Sequence, residues 1–367
     1  MRRTKQSFLI ALFVMCGLLW AQTKPPIVLE RADSLRSTEE NGVRKQVLNG
    51  HVWITRDSLS VTCDNAVYYP DSGLVIFRNN VEFKDPKRTL LADEVIYNEF
   101  TEEVFASNHV RVYQGDSLST SSRTARYKER LKSGFLYDDV KIRQESRHLQ
   151  LTGDLGFIDQ EQNFGWVTAD PVLTERDSLL RVITEIHGDT ISYDHALKVA
   201  RATGHVTVNR DSLVSSGKRL VYHKDLGYAE MLGDPRAVRN QDVVTGDTLR
   251  LFFKSEQLDH VEILGHALGT SPADSGAPEP LNRMEGKKMT LWVDSVGVKE
   301  VLVEGTAIAT YYVRDKGQPR GMNVTSGDQL HVFFENRRMS RIRVEGGTEG
   351  DYTPQKLLTR ASESKKL

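Results

Sequence analysis

Apolar and polar residues alternate with a period of two along several short stretches of the chain. In a pleated strand, this period places the two kinds of side chain on opposite faces. No stretch keeps a helical period, so helix should be a minor element. The pattern therefore predicts an all-β fold built from strands with one apolar face. The clearest stretches are residues 50–54, 80–83, 109–112, 139–142 and 204–208.

The alternating stretches recur at a nearly constant distance. Strand-rich units of about 30 residues cannot each bury an apolar face alone, so such units must stack. Degenerate copies with wider spacing follow around Ala267, Ala307 and Thr348. The spacing therefore predicts repeats that share a continuous core. The positions equivalent to Val52 are Val81, Val110, Val140, Pro171, Val206 and Pro235, with 29 to 35 residues between neighbours.

Two landmarks accompany the repeats. The first is an aromatic residue before the position that corresponds to Val52 in the following repeat. The second is an Asp-Ser or Asp-Thr turn, as at Asp57 and Asp247, which follows several of the strands. Aspartate and serine bond their own backbone in tight turns, so these turns predict antiparallel hairpins. The aromatic landmarks are Tyr68, Tyr97, Tyr127, Tyr193 and Tyr222 at a distance of 13 residues, and Phe157, Phe253, Trp292 and Phe334 at slightly longer distances.

Two stacked architectures are compatible with these repeats. A closed parallel β-helix has three-sided rungs, which are usually shorter than these units, and it fills its interior with small side chains. An open, folded-over antiparallel sheet leaves an apolar trough along its length. The predicted hairpins and the large aromatic residues favour the open sheet.

Composition divides the chain into six segments. Residues 1–21 join a basic start to an apolar run that is too short to span a bilayer comfortably, which is typical of a signal peptide and predicts export to the periplasm. Whether the protein then associates with the outer membrane stays open. The remaining segments are a polar linker at 22–44, the main repeats at 45–270, a Pro/Gly-rich loop at 271–282, degenerate repeats at 283–353 and a disordered tail at 354–367.

Composition also argues against several kinds of site. The net charge of −1 indicates no nucleic-acid partner. Cys63 is the only cysteine after the predicted signal peptide, so it should be a small core residue without a disulfide partner. Neighbouring carboxylates such as Asp93 and Glu94 do not form an acid/base pair within a strand. We therefore predict no catalytic residue, metal or cofactor. Histidines 51, 109, 205 and 266, which occupy equivalent positions, should be surface residues.

The repeated strands, the Asp-Ser-Leu turns and the Ala-x-x-Tyr strands, as in residues 48–81 and 92–112, resemble the OstA/LptA family of periplasmic lipopolysaccharide-transport proteins. The resemblance implies an elongated, twisted β-jellyroll whose modules join end to end across the periplasm and carry lipid acyl chains in a trough. The chain departs from the family by holding more repeats than a short bridge protein needs.

A lipid carrier needs an apolar trough because acyl chains must avoid water while the phosphorylated sugars stay wet. The alternating residues would line that trough as well as form the core. The implied partners are lipopolysaccharide, through the acyl chains of lipid A, and the jellyroll modules of inner- and outer-membrane transport proteins, through unpaired edge strands. The predicted lining residues are Val52, Ile54, Tyr68, Val81, Phe83, Tyr97, Val110, Val112, Tyr127, Val140, Ile142, Tyr193, Val206 and Val208.

The leading hypothesis is a non-enzymatic lipid carrier or bridge in lipopolysaccharide transport and outer-membrane assembly. One alternative is a polysaccharide-active β-helix enzyme, which would need carboxylates converging on one exposed face. Another is a structural or adhesive repeat protein without a ligand. Association into homo-oligomers stays open.

Overall fold

The computed structural model describes residues 27–358, apart from 116–117, 195, 211, 255–256, 275–276, 295–296, 316–317 and 336–337. The predicted signal peptide at 1–21 lies outside the described residues. The described chain forms one sheet of 26 strands. All strand pairs have antiparallel register, for example β3 with β4 and β4 with β5. The all-β prediction is confirmed, and among the described residues the parallel β-helix alternative is wrong.

The strands follow one another along the sheet. The first thirteen are β1 (Val28–Arg31), β2 (Ser34–Glu40), β3 (Val43–Arg56), β4 (Leu59–Tyr69), β5 (Leu74–Lys84), β6 (Arg88–Asn98), β7 (Glu103–Gln114), β8 (Leu118–Lys128), β9 (Ser133–Gln144), β10 (Leu149–Asp159), β11 (Phe164–Thr168), β12 (Val172–Arg176) and β13 (Val182–His187). The others are β14 (Thr190–Asp194), β15 (Val199–Arg210), β16 (Leu213–His223), β17 (Tyr228–Leu232), β18 (Arg236–Arg239), β19 (Asp242–Thr245), β20 (Thr248–Lys254), β21 (Gln257–Asp274), β22 (Ala277–Val293), β23 (Val298–Asp315), β24 (Gln318–Glu335), β25 (Arg338–Glu345) and β26 (Glu349–Pro354).

Helical structure is short in the described chain. Three 3₁₀ turns lie at Glu129–Leu131, Glu145–Arg147 and Lys224–Leu226, and residues 355–358 are helical. Residues 354–358 of the predicted disordered tail are therefore ordered, while 359–367 lie outside the described residues. None of the helices in the described part is long and apolar enough to cross a membrane.

Each long strand is bent near its middle. The register between β3 and β4 shifts between Asn49 and Val52, and the same shift recurs from pair to pair. We call the line of bends the corner. It divides the sheet into two arms: the tyrosine arm, which contains residues 43–49 of β3 and 65–69 of β4, and the aliphatic arm, which contains residues 52–56 and 59–63.

A level is one bent strand or two half-strands that pair with the same neighbour. Six levels are split at the corner into half-strands, for example β11 and β12, which both pair with β10. The described sheet therefore has twenty levels. At a strand spacing of about 4.8 Å, it extends over roughly 90 Å. One sequence repeat of about 30 residues corresponds to two levels, joined by a hairpin.

Left-handed backbone forms the corner. Gly50 and His51 have φ of 72° and 46°, and Asn79 and Asn80 of the next repeat have φ of 62° and 52°. Two such residues face a single residue on the neighbouring level, which is the arrangement of a β-bulge and bends the strand sharply. Glycine and asparagine tolerate this conformation better than other residues. Left-handed residues before the buried valines therefore encode the bend. They are the pairs Gly-His before Val52, Asn-Asn before Val81, Asn-His before Val110 and Asp-Asp before Val140, and Gly204 before Val206.

The core lies between the two arms. Its largest fully buried side chains include Val52, Val95 and Val140 in the first half, and Ile263 and Leu330 in the second half. Three clusters of buried residues follow one another along the sheet. Ala125 packs against the first and second of these clusters along the chain, and Leu151 packs against the second and third. The apolar interior is therefore continuous along the sheet.

The polar segment predicted as a linker at 22–44 is corrected by the structure from residue 27 onward, while 22–26 lie outside the described residues. Val28–Arg31 and Ser34–Glu40 are strands that pair with the two halves of β3. Most of their side chains are exposed, because they form the terminal level of the sheet. Backbone hydrogen bonds hold them in place, so their sequence carries no apolar alternation.

The Pro/Gly-rich segment predicted as a loop at 271–282 is also corrected. β21 continues to Asp274 and β22 begins at Ala277, so the segment is a hairpin. β19 pairs with β21 only as far as Thr270, and β23 pairs with β22 only from Arg283. Each strand of the segment therefore has one unpaired side, where proline is tolerated.

The predicted turn at Asp247 is wrong. Asp247 lies at the corner, between β19 and β20, and its backbone N–H donates to the carbonyl oxygens of Leu264 and Gly265. By contrast, Asp57 does belong to a two-residue hairpin that joins Arg56 to Leu59. An aspartate followed by a serine or threonine occurs both in the hairpin turn and at the corner, so the sequence alone did not distinguish the two.

Candidate functional site

The valines that follow the corner form the floor of the space between the arms. They begin the aliphatic half-strands of every second level, directly after the left-handed residues. Their side chains point between the arms and are sealed from solvent by both arms. They are therefore core residues, and their contact with a lipid stays a prediction. Val52, Val81, Val110, Val140 and Val206 are each 0 to 1% exposed.

The second residue of each predicted pair lies two positions further from the corner. These side chains point to the same interior but remain half-buried. We call the free ends of the arms, on the side away from the corner, the mouth. The residues near the mouth are the predicted lining residues that an apolar ligand can reach most directly. They are Ile54, Phe83, Val112, Ile142 and Val208.

The landmark tyrosines all lie on the tyrosine arm, near the mouth. Tyr68 and Tyr97 pack against the interior residues of the first levels. The hydroxyl of Tyr68 donates to Glu99 Oε2 over 3.2 Å, and burial raises the pKa of Tyr68. Burial also raises the pKa of Tyr127. Tyr193 shares a strand face with the buried Ile191 but is 38% exposed.

The four aromatic residues at longer spacing divide into two groups. Phe253 and Phe334 pack against the interior, as the landmark tyrosines do. Phe157 and Trp292 face the outside of the tyrosine arm, so their predicted equivalence with the tyrosines is wrong. Phe157 stacks on Trp166 with ring centroids 5.6 Å apart. A shift of one residue along a strand moves a side chain to the opposite face.

Several interior residues were missed by the sequence prediction. Val95 and Val167 belong to the earlier levels, but most of the missed residues belong to the later levels, where the short-strand pattern is degenerate. The alternation of Leu249, Leu251 and Phe253 was a signal that could have revealed one of these half-strands. The largest fully buried side chains of the later levels are Met231, Leu249, Ile263, Met289 and Leu330.

Polar pairs join neighbouring levels along the outside of the corner. The predicted surface histidines belong to these pairs, with Nδ1 next to an aspartate oxygen. The described residues contain no group of three or more possible metal ligands. The pairs link adjacent levels on the exposed side of the corner. They are His51–Asp33 and His109–Asp93 at 2.8 Å, His205–Asp189 at 3.1 Å and His266–Asp247 at 3.0 Å.

Among the described residues, two arginines make contacts that cross the mouth from one arm to the other. Arg88, on the aliphatic arm, donates from Nη1 to Gln160 Oε1 over 2.8 Å. Gln160 follows β10 on the tyrosine arm, and its Oε1 also accepts the hydroxyl of Tyr127 over 3.0 Å. Further along, the guanidinium carbon of Arg210 lies 5.8 Å from the ring centroid of Phe253. We call these two contacts the Arg88 clasp and the Arg210 clasp.

The fold and the site together define a class of protein. A folded-over antiparallel sheet encloses a continuous apolar interior, which is sealed at the corner and reached from the mouth. This arrangement is that of an antiparallel β-jellyroll.

Comparison with known proteins agrees with this class. The model of the OstA-like protein family matches residues 24–85, which confirms the resemblance to the OstA/LptA family. The matched range covers β1 to β5 and includes residues 24–44 of the segment predicted as a linker. No curated protein matches the chain. Among solved structures, the chain is similar to LptH from Pseudomonas aeruginosa, described as the LptA-homologous periplasmic component of the lipopolysaccharide transport device. The identity is 16% and the TM-score 0.27, over 29% of this chain and 75% of that chain.

Proposed function

We propose that this chain is a non-enzymatic periplasmic carrier or bridge for lipid in lipopolysaccharide transport and outer-membrane assembly. The observation that supports the proposal most directly is the unbroken apolar interior, whose lining near the mouth is only half-buried. The match to the OstA-like family over residues 24–85 supports the same function.

The geometry suits an acylated lipid. An acyl chain placed between the arms would lie along side chains such as Ile54, Phe83 and Val112, while a polar headgroup would stay outside the mouth. Burying one methylene group is favourable by about 0.8 kcal/mol, so a chain of twelve carbons needs only part of its length enclosed to be held firmly. Successive levels repeat the same surface, which allows an acyl chain to move along the sheet without meeting water.

Photocrosslinking at the mouth tests this proposal. We expect a photoreactive residue at Val112 to label lipopolysaccharide in cells, because Val112 is half-buried and faces the interior. Tyr113 is the matched control: it is the next residue of β7, it faces outward and it is 39% exposed. Labelling of lipid from both positions would indicate non-specific contact. Labelling of protein alone would favour a structural scaffold, and unchanged surface lipopolysaccharide after depletion would exclude the transport function.

The two ends of the sheet support association with other jellyroll modules. β1 and β2 pair only with β3, and β25 and β26 pair only with β24 among the described strands. Leu35 at one end and Tyr352 at the other are 59% and 51% exposed. An unpaired strand edge with exposed apolar side chains is suited to strand addition by a partner.

Charge placed at either end tests the association. Leu35→Lys and Tyr352→Lys should each weaken capture of jellyroll modules from the membrane machinery at the altered end only. Phe100→Lys is the control, because Phe100 is 69% exposed in a turn away from both ends. Equal capture by all three variants would contradict end-to-end association. Light scattering of the same variants would show whether the ends also join copies of this chain.

A further inference from the structure

The Arg88 clasp is held by two fixed backbone positions. The N–H of Arg88 donates to Asp85 Oδ1 over 2.7 Å, at the turn that begins β6. The N–H of Gln160 donates to the carbonyl oxygen of Lys132 over 2.9 Å. The residues are 72 positions apart in sequence and lie on opposite arms. Because both backbones are anchored, rotation of the two side chains is enough to open the clasp.

The hydrogen-bond partner of Arg88 across the mouth is neutral. Its guanidinium donates to an amide oxygen, and Asp85 Oδ2 lies 3.8 Å from its Nε, beyond hydrogen-bond distance. Several arginines on the outer face of the tyrosine arm are bonded to carboxylates, for example Arg126 to Glu103 at 2.9 Å and Arg78 to Glu94 at 2.7 Å. Arg88 therefore keeps more of its capacity to bind an anion, and its planar donors match a phosphate group.

Apolar interior residues lie directly beside this cation. Leu90 is two positions from Arg88 on the same face of β6, and it packs against the interior together with Phe83 and Tyr97. A phosphorylated headgroup at Arg88 would therefore leave its acyl chain beside these residues. The side chain of Arg88 is 38% exposed, so a group outside the mouth can reach it.

We infer that Arg88 binds the anionic headgroup of the lipid and that its hydrogen bond to Gln160 acts as a gate across the mouth. In this inference, which rests on the proposed carrier function, the guanidinium leaves the amide of Gln160 and binds the phosphate as the acyl chain passes between the arms. No covalent bond changes. Charge-assisted hydrogen bonds to phosphate replace a hydrogen bond to a neutral amide, which favours the open arrangement when an anionic lipid is present.

The Arg210 clasp provides a comparison within the same molecule. Arg210 Nη1 lies 3.6 Å from Glu175 Oε2 and donates to Thr184 Oγ1 over 3.2 Å. Thr184 itself donates to Glu175 over 2.8 Å. Both arginines therefore have a carboxylate within 4 Å, but Asp85 beside Arg88 already accepts two backbone N–H groups, whereas Glu175 is linked to Arg210 through Thr184. The charge of Arg210 is offset more completely, so the Arg210 clasp should close the mouth without selecting a headgroup.

Binding of two single-chain lipids to the full chain tests the inference. The probes are dodecyl phosphate and dodecyl maltoside, both below their micelle concentrations, with affinity measured by calorimetry. Arg88→Gln should weaken the binding of dodecyl phosphate about tenfold, which is the size expected for one charge-assisted contact. The affinity for dodecyl maltoside should stay unchanged. Arg88→Lys should give an intermediate loss, because it keeps the charge without the planar fork. Arg126→Gln and Arg210→Gln should leave the preference between the probes unchanged.

Variants of Gln160 test the gate separately. Gln160→Ala removes the bond across the mouth and should strengthen binding of both probes several-fold. Gln160→Glu places a carboxylate beside Arg88 and should therefore lower the affinity for dodecyl phosphate more than the affinity for dodecyl maltoside. Equal losses for both probes in Arg88→Gln, or the same loss in Arg126→Gln, would overturn the headgroup role. If the unmodified chain bound neither probe, the carrier function would fail and the inference with it. If binding persisted but Arg88→Gln changed nothing, only the inference would fail.

Discussion

The corner and the mouth of this protein are made from the same strands but differ in burial. Val110 is 1% exposed at the corner, whereas Val112, two residues further along β7, is half-buried near the mouth. At the corner the arms meet and each side chain is enclosed by neighbouring levels. Towards the mouth the side chains are less enclosed, and polar contacts such as the Arg88 clasp lie beside apolar contacts such as that of Phe83 with Phe77. The corner therefore supplies stability, while the apolar side chains near the mouth keep part of their surface exposed.

Thiol alkylation gives the largest expected difference between these regions. Cys63 is buried next to the corner, and burial raises its pKa to about 11. At pH 8 its thiolate fraction should be about 100-fold below that of an ordinary thiol, and restricted access should slow its reaction further. A cysteine introduced as Val112→Cys, near the mouth, should react much faster. Mass spectrometry of each cysteine-containing peptide measures both rates in one sample.

Similar alkylation rates at positions 63 and 112 would contradict a sealed corner. The raised pKa also has a consequence for stability. The unfolded chain loses the thiol proton at lower pH than the folded chain, so the free energy of unfolding should fall as pH rises towards about 11. Cys63→Ser should remove that part of the pH dependence.

Truncation of an interior isoleucine should destabilise the corner more than the mouth. Ile263 is 0% exposed beside the corner, so Ile263→Ala should lower the free energy of unfolding by about 3 kcal/mol. Ile142 is half-buried near the mouth, and Ile142→Ala should cost about 1 kcal/mol because less area is lost and water can fill the space. Urea unfolding followed by far-UV circular dichroism compares the two. Equal losses would mean that packing is uniform across the arms.

A glycine at the bend should be sensitive to a single added methyl group. Gly265 has φ of +68°, and a Cβ there would overlap the side chain of Asp247. Gly265→Ala should therefore cost about 1 to 2 kcal/mol of unfolding free energy. Gly350, in β26, is the control, because a Cβ there meets no atom within 4 Å. If the two alanine variants unfold at the same urea concentration, the bend does not depend on left-handed glycine.

The histidine pairs outside the corner should contribute least. The side chains of His109 and Asp93 are 77% and 53% exposed, so water screens their interaction. His109→Ala should lower the unfolding free energy by less than about 0.5 kcal/mol. The urea midpoint of this variant should stay close to that of the unmodified chain. A loss comparable to that of Ile263→Ala would show that the outer pairs help to hold the bend.

The sequence predicted the interior best where its pattern was most regular. Val81 and Phe83 show the alternation, and both point between the arms because a pleated strand places every second residue on one face. The pattern weakens after Val208, so Ile263 and Met289 were missed although they are fully buried. β2 was missed for a different reason: it is held by backbone hydrogen bonds to β3 and most of its side chains are exposed.

The sequence by itself determined the strand content, the repeat length and the apolar face of most levels. These features depend on local alternation and on turn residues, which act over a few positions. Only the tertiary structure decided which residues form the corner, which levels are split and which side chains meet across the mouth. Arg88 and Gln160 are separated by 72 positions, and neither carries a local signal for the other. Their contact depends on how the stacked levels bring the two arms together, which no short stretch of sequence encodes.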